Sequence, residues 1–369
     1  MSSRHDRVLQ IVPHLPGSFD GVGDYALNLA RQLSAEHGIE TSFLVAGQTG
    51  VTSRGRYNII SGLDPGRTAE LARDHEHVIL HYVNYGYQAR GVPFHLSAFV
   101  KRLRPQVRGR WVTTFHELYA SGPPWKSAFW LRPFQVRIAH EMMDAATSCV
   151  VSNHPIEQAI HRHDPRKRVH LIPVMSNFGE PELDDFGGGS PNRWAICGGT
   201  ALIARSLRLL EQLCAKIPPE FAPEHVDLVG GREDASVSEV LERLKRTRPD
   251  LSFHHYAEVG VDLASEVLRQ SVFGFIDYFG AGRVWPGMLL KSTAFAALCA
   301  HGVIPVLAHR EPPIALAGDS LPGPFYLIPG ATNLPRSEEL PETRRRVYRW
   351  YHAHAASHQA ARVYAEALT

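Results

Sequence analysis

Short apolar runs alternate with helical apolar periodicity along most of the chain. The first run, at 8–13, is followed by Ala26, Leu29, Ala30 and Leu33, whose i, i+3, i+4, i+7 spacing puts them on one face of a helix. Further strands are predicted at 41–46, 77–81, 111–115, 148–152 and 169–173. This alternation is typical of parallel sheets covered by helices.

Residues 177–192 interrupt the pattern, because they are rich in glycine, proline and acids and have no apolar periodicity. Strands are then predicted at 194–197, 226–229, 252–256, 272–276 and 303–307, with helices between them. We therefore expect an α/β protein of two doubly wound, Rossmann-like domains facing a cleft. The expected divisions are an N-terminal domain at 1–176, a linker at 177–192, a second domain at 193–342, and a final helix at 343–369 that packs back on the first domain.

With 44% hydrophobic and 21% charged residues, the 369-residue chain has the composition of a folded globular protein of more than one domain. The net charge of +2 gives no overall reason to expect nucleic acid, but residues 1–175 carry +6 and the remainder −4. An anionic surface should therefore meet the N-terminal half. Four scattered cysteines and the lack of a long apolar segment favour a cytoplasmic protein.

Lys291 is the only formally charged residue between positions 284 and 308. An ammonium group in such an apolar segment needs an anionic partner or a route to water. Ser292 and Thr293 are both suited to begin a helix, whose N-terminal N–H groups and dipole favour a phosphate. The segment predicts a phosphate site; the alternative is a surface lysine whose stem covers apolar neighbours.

A second candidate anion site is the turn C-G-G-T-A-L-I-A-R-S at 197–206, after the first strand of the second predicted domain. Gly198 and Gly199 would let the backbone approach a ligand, and Arg205, at the predicted start of the next helix, could hold a phosphate with two hydrogen bonds. A plain turn with a solvated arginine is the alternative. Both candidate sites follow strands of one parallel sheet, so we expect them at its carboxyl edge, where open α/β sheets bind ligands.

In the first predicted domain, G-V-G-D-Y-A at 21–26 matches the G-x-G-x-x-A pattern of dinucleotide-binding folds. Eight residues separate it from the first strand, although the pattern requires a tight turn there. Gly21 and Gly23 are still expected to bring the backbone to the carboxyl edge of the sheet. His116 directly follows the strand at 111–115, so it is a candidate hydrogen-bond partner for a reacting group, with a structural or solvated histidine as the alternative.

Cationic and aromatic residues are interleaved between positions 101 and 137. The segment includes Lys101, Arg102, Arg104, Trp125 and Trp130. Such interleaving suits an anionic membrane surface or a phosphate-bearing acceptor, and the same pattern can serve nucleic acid. A solvated arginine face over a buried aromatic cluster is the alternative.

These segments resemble the GT-B glycosyltransferases, specifically the retaining enzymes of family four, over nearly the whole chain. G-S-F-D-G-V-G-D-Y-A-L-N-L-A-R-Q-L at 17–33 is similar to that family's glycine loop and first helix, and T-F-H-E-L-Y at 114–119 to its strand-end histidine. L-I-P-V-M-S-N-F at 171–178 resembles the segment before the second domain. The turn at 197–206 resembles the opening of that domain, and A-H-G-V-I-P-V-L-A at 300–308 its late A-x-G-x-P-V stretch.

The resemblance implies a nucleoside diphosphate sugar as donor on the second domain, an acceptor on the first, and transfer with retention. The acceptor would be a glycan, a lipid-linked molecule or a small molecule, and neither a metal ion nor a further cofactor is required. Carried over to this chain, the resemblance places Gly21 and Gly23 near the donor phosphate and His116 on the donor sugar. Arg205 falls on the family's phosphate-binding lysine.

Two positions depart from the family pattern. Thr200 replaces an arginine of the opening turn, and the paired acids of the donor motif fall on Leu289 and Ala297. Lys291 lies inside that window, which suggests a divergent subgroup that holds the diphosphate differently. In the expected chemistry, the bond between the anomeric carbon and the diphosphate breaks while Lys291, Arg205 and helix N-termini stabilise the leaving group.

Three other hypotheses stay open. The missing acids suggest a noncatalytic nucleotide-binding partner protein. The pattern at 21–26 suggests a nucleotide-dependent oxidoreductase, and the segment at 101–137 suggests a nucleic-acid binder. The transferase hypothesis, with a nucleotide sugar, a glycan or lipid-linked acceptor, no nucleic acid and a peripheral contact with an anionic membrane, accounts for the most features.

Overall fold

The structure is a computed structural model that describes residues 7–15, 21–120, 123–280 and 284–369. Residues 17–20, the first four of the predicted glycine loop, lie outside the described residues. The chain divides into two compact units. Unit 1 comprises the chain up to Pro173 together with Ser357–Thr369, and unit 2 comprises Val174–Ala356.

Unit 1 contains, among its described residues, an eight-stranded sheet that is parallel except for one edge strand. Its strands are β1 (Arg7–Val12), β2 (Glu40–Val45), β3 (Ser53–Arg54), β4 (Tyr57–Ser61), β5 (His77–Tyr82), β6 (Trp111–Phe115), β7 (Ser148–Val151) and β8 (Arg168–Leu171). Its first helices are α1 (Gly21–His37), α2 (Thr68–Asp74), α3 (Asn84–Tyr87), α4 (Phe94–Leu103), α5 (Ser127–Ala145) and α6 (His154–His163). The strand order is β3-β4-β2-β1-β5-β6-β7-β8, so the winding reverses between β1 and β5.

Apolar side chains cover both faces of this sheet, which is why its strands are nearly continuous apolar runs. On one face, Leu80 belongs to a buried cluster with Phe99 of α4 and Met142 of α5. On the other face, Phe43 belongs to a cluster with Ala26 of α1. Both faces are therefore sealed from water by helices.

Unit 2 contains a seven-stranded sheet, parallel except for its last edge strand, and a two-stranded ribbon among the described residues. Its strands are β9 (Ser190–Cys197), β10 (His225–Val229), β11 (Ser252–Tyr256), β12 (Ser271–Ile276), β13 (Ile304–Leu307), β14 (Ala315–Leu316), β15 (Asp319–Ser320), β16 (Phe325–Ile328) and β17 (Ala331–Asn333). Its helices are α7 (Thr200–Leu213), α8 (Ala235–Thr247), α9 (Val261–Gln270), α10 (Thr293–Ala300) and α11 (Leu340–His354). The order of the large sheet is β11-β10-β9-β12-β13-β16-β17, and the winding reverses between β9 and β12.

The core of unit 2 is centred on Trp194 and Phe273, whose rings lie 5.0 Å apart on neighbouring strands. Leu207 of α7 and Val240 of α8 complete the same buried cluster. Two doubly wound α/β units thus confirm the fold class that the alternation predicts. The strands predicted at 111–115 and 252–256 coincide with β6 and β11.

The sequence prediction missed several elements, of which α5 is the largest. Its first two turns contain no buried residue, and Pro133 lies within it, so the segment shows no regular apolar face. The helix that follows Gly199 was also predicted to begin too late, near Arg205, because its first turn lacks a side-chain cap. It begins at Thr200, which puts Arg205 in the second turn.

The segment at 177–192 is not a linker, because it belongs to unit 2. The Tyr351 hydroxyl of α11 donates to Glu180 at 2.6 Å and accepts from the Ser176 N–H at 2.7 Å, while the Tyr348 hydroxyl donates to the Pro181 carbonyl at 3.1 Å. The segment lacks periodicity because contacts with a distant helix hold it in place. Unit 1 accordingly ends at Pro173 instead of at 176.

The final stretch is two helices instead of one. α11 belongs to unit 2, where Val347, Trp350 and Tyr351 are buried, and α12 (Ser357–Leu368) belongs to unit 1. α12 packs against α1, where the Gln32 side chain donates to the Ser357 hydroxyl at 3.0 Å. Only the last thirteen residues therefore return to the first unit, since the chain leaves unit 2 after Ala356.

Candidate functional site

The candidate anion site of unit 2 lies where the winding of its sheet reverses. β9 and β12 are neighbours, but the chain continues from them toward opposite edges, which is the arrangement that creates a ligand crevice in open α/β sheets. Gly198 and Gly199 follow β9, and Asp277 and Tyr278 follow β12. Ligands of open α/β sheets bind at such points.

The glycine turn and the start of α10 are in contact. Gly198 has φ +129°, and a Cβ there would lie 3.2 Å from the Cβ of Ala294, the second residue of α10. The Cys197 thiol also lies 3.4 Å from the Ala294 carbonyl oxygen. The structure therefore brings together two segments that sequence analysis linked only by their positions after strands.

The start of α10 is built around Ser292. Its hydroxyl accepts a hydrogen bond from the Phe295 N–H at 3.2 Å, so Ser292 is the N-cap and Thr293 the first helical residue. Lys291 ends the 3-10 turn Met288–Lys291 directly before this cap and is half-buried. The Lys291 cation therefore stands at the helix terminus, where the dipole also favours an anion.

Arg205 spans from α7 to the loop after β12. Its Nη2 donates to the carbonyl oxygens of Asp277 at 3.0 Å and Tyr278 at 3.1 Å. Its Nε is buried and has no hydrogen-bond partner among the described residues. Arg205 thus holds the loop after β12. Because Nη2 already donates to this loop, fewer N–H groups of Arg205 are left for the two hydrogen bonds to a phosphate that the sequence suggested.

Glu311 and His309 were missed by sequence analysis. Both are buried in the loop after β13; the Glu311 carboxylate accepts from the Gly287 N–H at 2.6 Å and lies 2.9 Å from His309 Nε2. Gly287 precedes the 3-10 turn that ends at Lys291, so this carboxylate fixes the approach to the lysine. The sequence signal that could have identified Glu311 is its position shortly after the strand predicted at 303–307.

His116 lies at the carboxyl end of β6 in unit 1, and its backbone N–H donates to the Tyr82 carbonyl at 3.0 Å. His116 Nε2 lies 3.1 Å from Nδ1 of His81 on β5, whose Nε2 lies 2.8 Å from Oε1 of Gln10 on β1. β1 and β5 are the strands between which the winding of this sheet reverses. Sequence analysis found His116 but neither of the residues behind it.

Gly21 and Gly23 are in the first turn of α1 instead of in a loop. Gly23 is buried, whereas a Cβ at Gly21 would meet no atom of the described residues within 4 Å. The sequence misled here because two closely spaced glycines usually weaken a helix.

Of the residues predicted to form a cationic and aromatic surface, some take part in the packing of unit 1 and others are exposed to solvent. Lys101 binds Glu141 at 2.8 Å, and Arg104 donates to the Ala145 carbonyl at the end of α5, at 2.8 Å, so both stabilise the packing of unit 1. Arg102 is exposed, while Trp125 and Trp130 are 83% and 68% exposed. Among the described residues, no helix has both the length and the apolar character needed to cross a bilayer.

No protein-family model matches the chain, and no curated protein matches its sequence. Solved structures match it in fold. The Anabaena protein HepE in complex with UDP and glucose matches with a TM-score of 0.63 at 10% identity, over 99% of each chain. An alpha-glucosyltransferase in complex with UDP and a 13-mer DNA matches with a TM-score of 0.60 at 12% identity, also over 99% of each chain.

The pneumococcal O-GlcNAc transferase GtfA in complex with UDP and GlcNAc matches with a TM-score of 0.59 at 8% identity, over 99% of each chain. At these identities the likeness concerns the fold. It extends over nearly the full length of a chain made of two parallel-sheet α/β units. The chain therefore has the GT-B fold.

Proposed function

We propose that this protein is a glycosyltransferase that moves a sugar from a nucleoside diphosphate sugar to a glycan, lipid-linked or small-molecule acceptor. One observation carries the proposal: at the reversal point of the unit 2 sheet, the Gly198 turn lies against the first turn of α10, directly after the half-buried Lys291. Open backbone N–H groups and a lysine at a helix N-terminus match a diphosphate. The UDP bound in three structures of similar fold supports the same ligand class.

In the proposed reaction, the bond between the anomeric carbon and the diphosphate breaks, and negative charge accumulates on the leaving diphosphate. Lys291 and the N–H groups that open α7 and α10 stabilise this charge, which is larger in the transition state than in the bound donor. Arg205 adds a second cation and holds the loop after β12. We propose that these fixed groups act without a divalent ion and that the donor is the only nucleotide required.

We propose that His116 hydrogen-bonds the transferred sugar and that the donor phosphate approaches the backbone at Gly21 and Gly23. Leu289 and Ala297 are fully buried and stand where the retaining family-four enzymes, in the sequence resemblance, carry paired acids. The chain would then be a divergent member of that group. Retention of configuration is proposed on the same resemblance.

A thermal-shift screen over nucleoside diphosphate sugars tests the proposal. A bound donor at about 100 times its dissociation constant stabilises the native state by roughly 2.7 kcal/mol. Lys291→Ala is expected to abolish that shift, whereas Lys245→Ala, which removes an exposed lysine on α8, serves as a matched control and keeps it. A Lys291→Ala protein that retains both donor affinity and turnover would show that the assignment of the anion site is wrong.

A noncatalytic nucleotide-binding protein is the second candidate, and the buried Leu289 and Ala297 favour it because they contribute no polar group to a sugar or ribose. Donor hydrolysis and transfer assays separate the two functions. A thermal shift with nucleotide sugars but no turnover with any acceptor would favour the second candidate.

The exposed end of α5 supports a membrane contact on unit 1. Residues 127–134 are all described and none is buried, although they include Phe129, Trp130 and Phe134. The neighbouring Trp125 is exposed as well. Aromatic surface left in water costs roughly 25 cal/mol per Å² relative to burial, so this end of α5 is expected to be covered in the working protein.

We propose that an anionic bilayer covers it, so that the protein works peripherally at the cytoplasmic face of a membrane. Residues 118–140 contain three cations, including Lys126 and Arg132, and no acidic residue. Anionic headgroups match these cations, and the interface accepts tryptophan and phenylalanine rings. A second copy of the chain would bring like charges together. A nucleic acid would need aromatic rings that stack on its bases, whereas Phe129 and Phe134 project from successive turns of a helix.

A further inference from the structure

A row of polar side chains lies within the apolar face that α1 and α12 cover in unit 1. Gln10 of β1 and His81 of β5 are both fully buried on neighbouring strands. A buried amide or imidazole costs free energy unless it is hydrogen-bonded, and apolar residues would fill these positions without that cost. The pair lies where the winding of the sheet reverses, behind His116.

The contacts of this row link the proton positions of its members to one another. Burial and then the neighbouring His116 hold the pKa of His81 well below 6.5, so its ring is neutral and carries one proton. Gln10 turns Oε1 toward His81 Nε2 at 2.8 Å, while Gln10 Nε2 is buried without a hydrogen-bond partner among the described residues. With the amide in this orientation the oxygen only accepts, so the proton is on His81 Nε2. His81 Nδ1 is then an acceptor, and His116 Nε2 must donate to it across 3.1 Å.

Tyr25 fixes the plane of both rings. Its ring meets His81 edge-on at 5.9 Å and His116 edge-on at 5.3 Å, and the two histidine rings lie within 22° of parallel. The Tyr25 hydroxyl donates to the Tyr364 hydroxyl of α12 at 3.4 Å. His116 is thus held by its backbone, by one ring nitrogen and by an aromatic neighbour.

We infer that His81 and Gln10 are positioning residues that hold the His116 ring in one orientation and in the tautomer with a proton on Nε2. In that tautomer Nδ1 is the acceptor nitrogen of the ring, the kind of group to which a sugar hydroxyl donates. The inference goes beyond the proposed function and depends on it only for what His116 contacts. The hydrogen bonds from Gln10 through His81 to His116 do not depend on the proposed function.

Kinetics of matched variants test the inference. His81→Leu removes the acceptor and is expected to lower kcat about tenfold, the effect of one hydrogen bond, with a smaller change in donor KM. His81→Asn keeps an oxygen at the position of Nδ1 and is expected to recover most of that loss. Equal losses in the two variants would overturn the inference.

A second pair of variants separates positioning from general stability. In a His116→Ala background, His81→Leu is expected to cause no further loss of kcat, because its effect passes through His116. A merely structural histidine would lower kcat equally in both backgrounds, and that result would overturn the inference. Gln10→Met provides the same test without altering either ring, should His81→Leu fail to fold.

The tautomer itself can be measured without any substrate. Long-range ¹H–¹⁵N correlation spectra of the full chain distinguish protonated from unprotonated ring nitrogens, and His116→Gln assigns the His116 signals. We expect the proton on Nε2 in the wild-type protein and a mixture of tautomers in His81→Leu. A proton on Nδ1 in the wild-type protein would overturn the inference, even if the transferase function is confirmed; an inactive protein with the expected tautomer would contradict only the proposed function.

Discussion

Gly198 lies directly against Ala294: a Cβ on the glycine would be 3.2 Å from that of the alanine. This contact joins the turn after β9 to the first turn of α10. Residues almost one hundred positions apart in the chain therefore meet at one edge of the sheet, where we propose the anion site. Neither residue is charged. Both are small, so the turn after β9 and the first turn of α10 can lie close together.

The two glycines of this turn should respond differently to alanine. Gly198→Ala introduces a side chain at φ +129° and against Ala294, so we expect it to lower the free energy of unfolding by about 1–3 kcal/mol. Gly199 has an ordinary φ of −76° and space for a Cβ, so Gly199→Ala should fold normally yet weaken donor binding. Urea unfolding and nucleotide thermal shifts measure the two effects. Unchanged donor affinity in Gly199→Ala would contradict a close approach of the diphosphate to this turn.

Glu311 is expected to stabilise the segment that carries Lys291. Glu311→Ala leaves the Gly287 N–H without its acceptor and should lower the free energy of unfolding by about 1–3 kcal/mol, and should also reduce the donor thermal shift. Glu311→Gln keeps one oxygen acceptor and serves as the control. A Glu311→Ala protein with normal stability and a normal donor shift would show that this carboxylate does not hold the segment.

The exposed aromatic end of α5 predicts binding to anionic vesicles. We expect the wild-type protein to float with vesicles of phosphatidylcholine and phosphatidylglycerol but not with pure phosphatidylcholine, and salt should weaken the association. The double variant Trp125→Ser/Trp130→Ser should lose it, whereas Trp285→Ser, which removes a half-exposed tryptophan of unit 2, should not. Light scattering provides the counter-test: a dimer that the double variant abolishes would identify a second copy as the partner.

His301 predicts a stability change with pH. The ring is buried at the end of α10, with Nδ1 2.7 Å from the Ala297 carbonyl oxygen and Nε2 2.9 Å from the Ser265 hydroxyl, and burial lowers its pKa from 6.5 to about 4. Between these two values the unfolded chain binds a proton that the native ring does not. Stability is therefore lost as the pH falls through this window, by up to about 1.4 kcal/mol per pH unit.

His301→Gln should flatten this dependence, and urea unfolding at several pH values above and within the window measures it. His37→Gln, at the exposed end of α1, is the control and should keep the wild-type slope. A slope that His301→Gln leaves unchanged would assign the effect to other groups.

Local sequence determined the kinds and positions of most elements. The strand at 111–115 and the helix that contains Ala26 follow from the spacing of their own apolar residues, because that spacing reports which side of each segment is buried. The placement of Lys291 and His116 after strands also followed from local pattern. The exposed turns of α5 did not, since none of their residues is buried and they therefore show no periodic burial.

Strand order was decided by tertiary structure alone. No local pattern states that β9 neighbours β12 or that β1 neighbours β5, because these neighbours are chosen by the packing of complete sheets and helices. The same packing places Gln10 behind His81 and Glu311 beside Gly287, pairs that are distant in the chain or lie in irregular loops. The sequence by itself determined an α/β chain with cations and a histidine at strand ends, and only the folded sheets decided which of these groups meet, since hydrogen bonds between them depend on contacts that no single segment specifies.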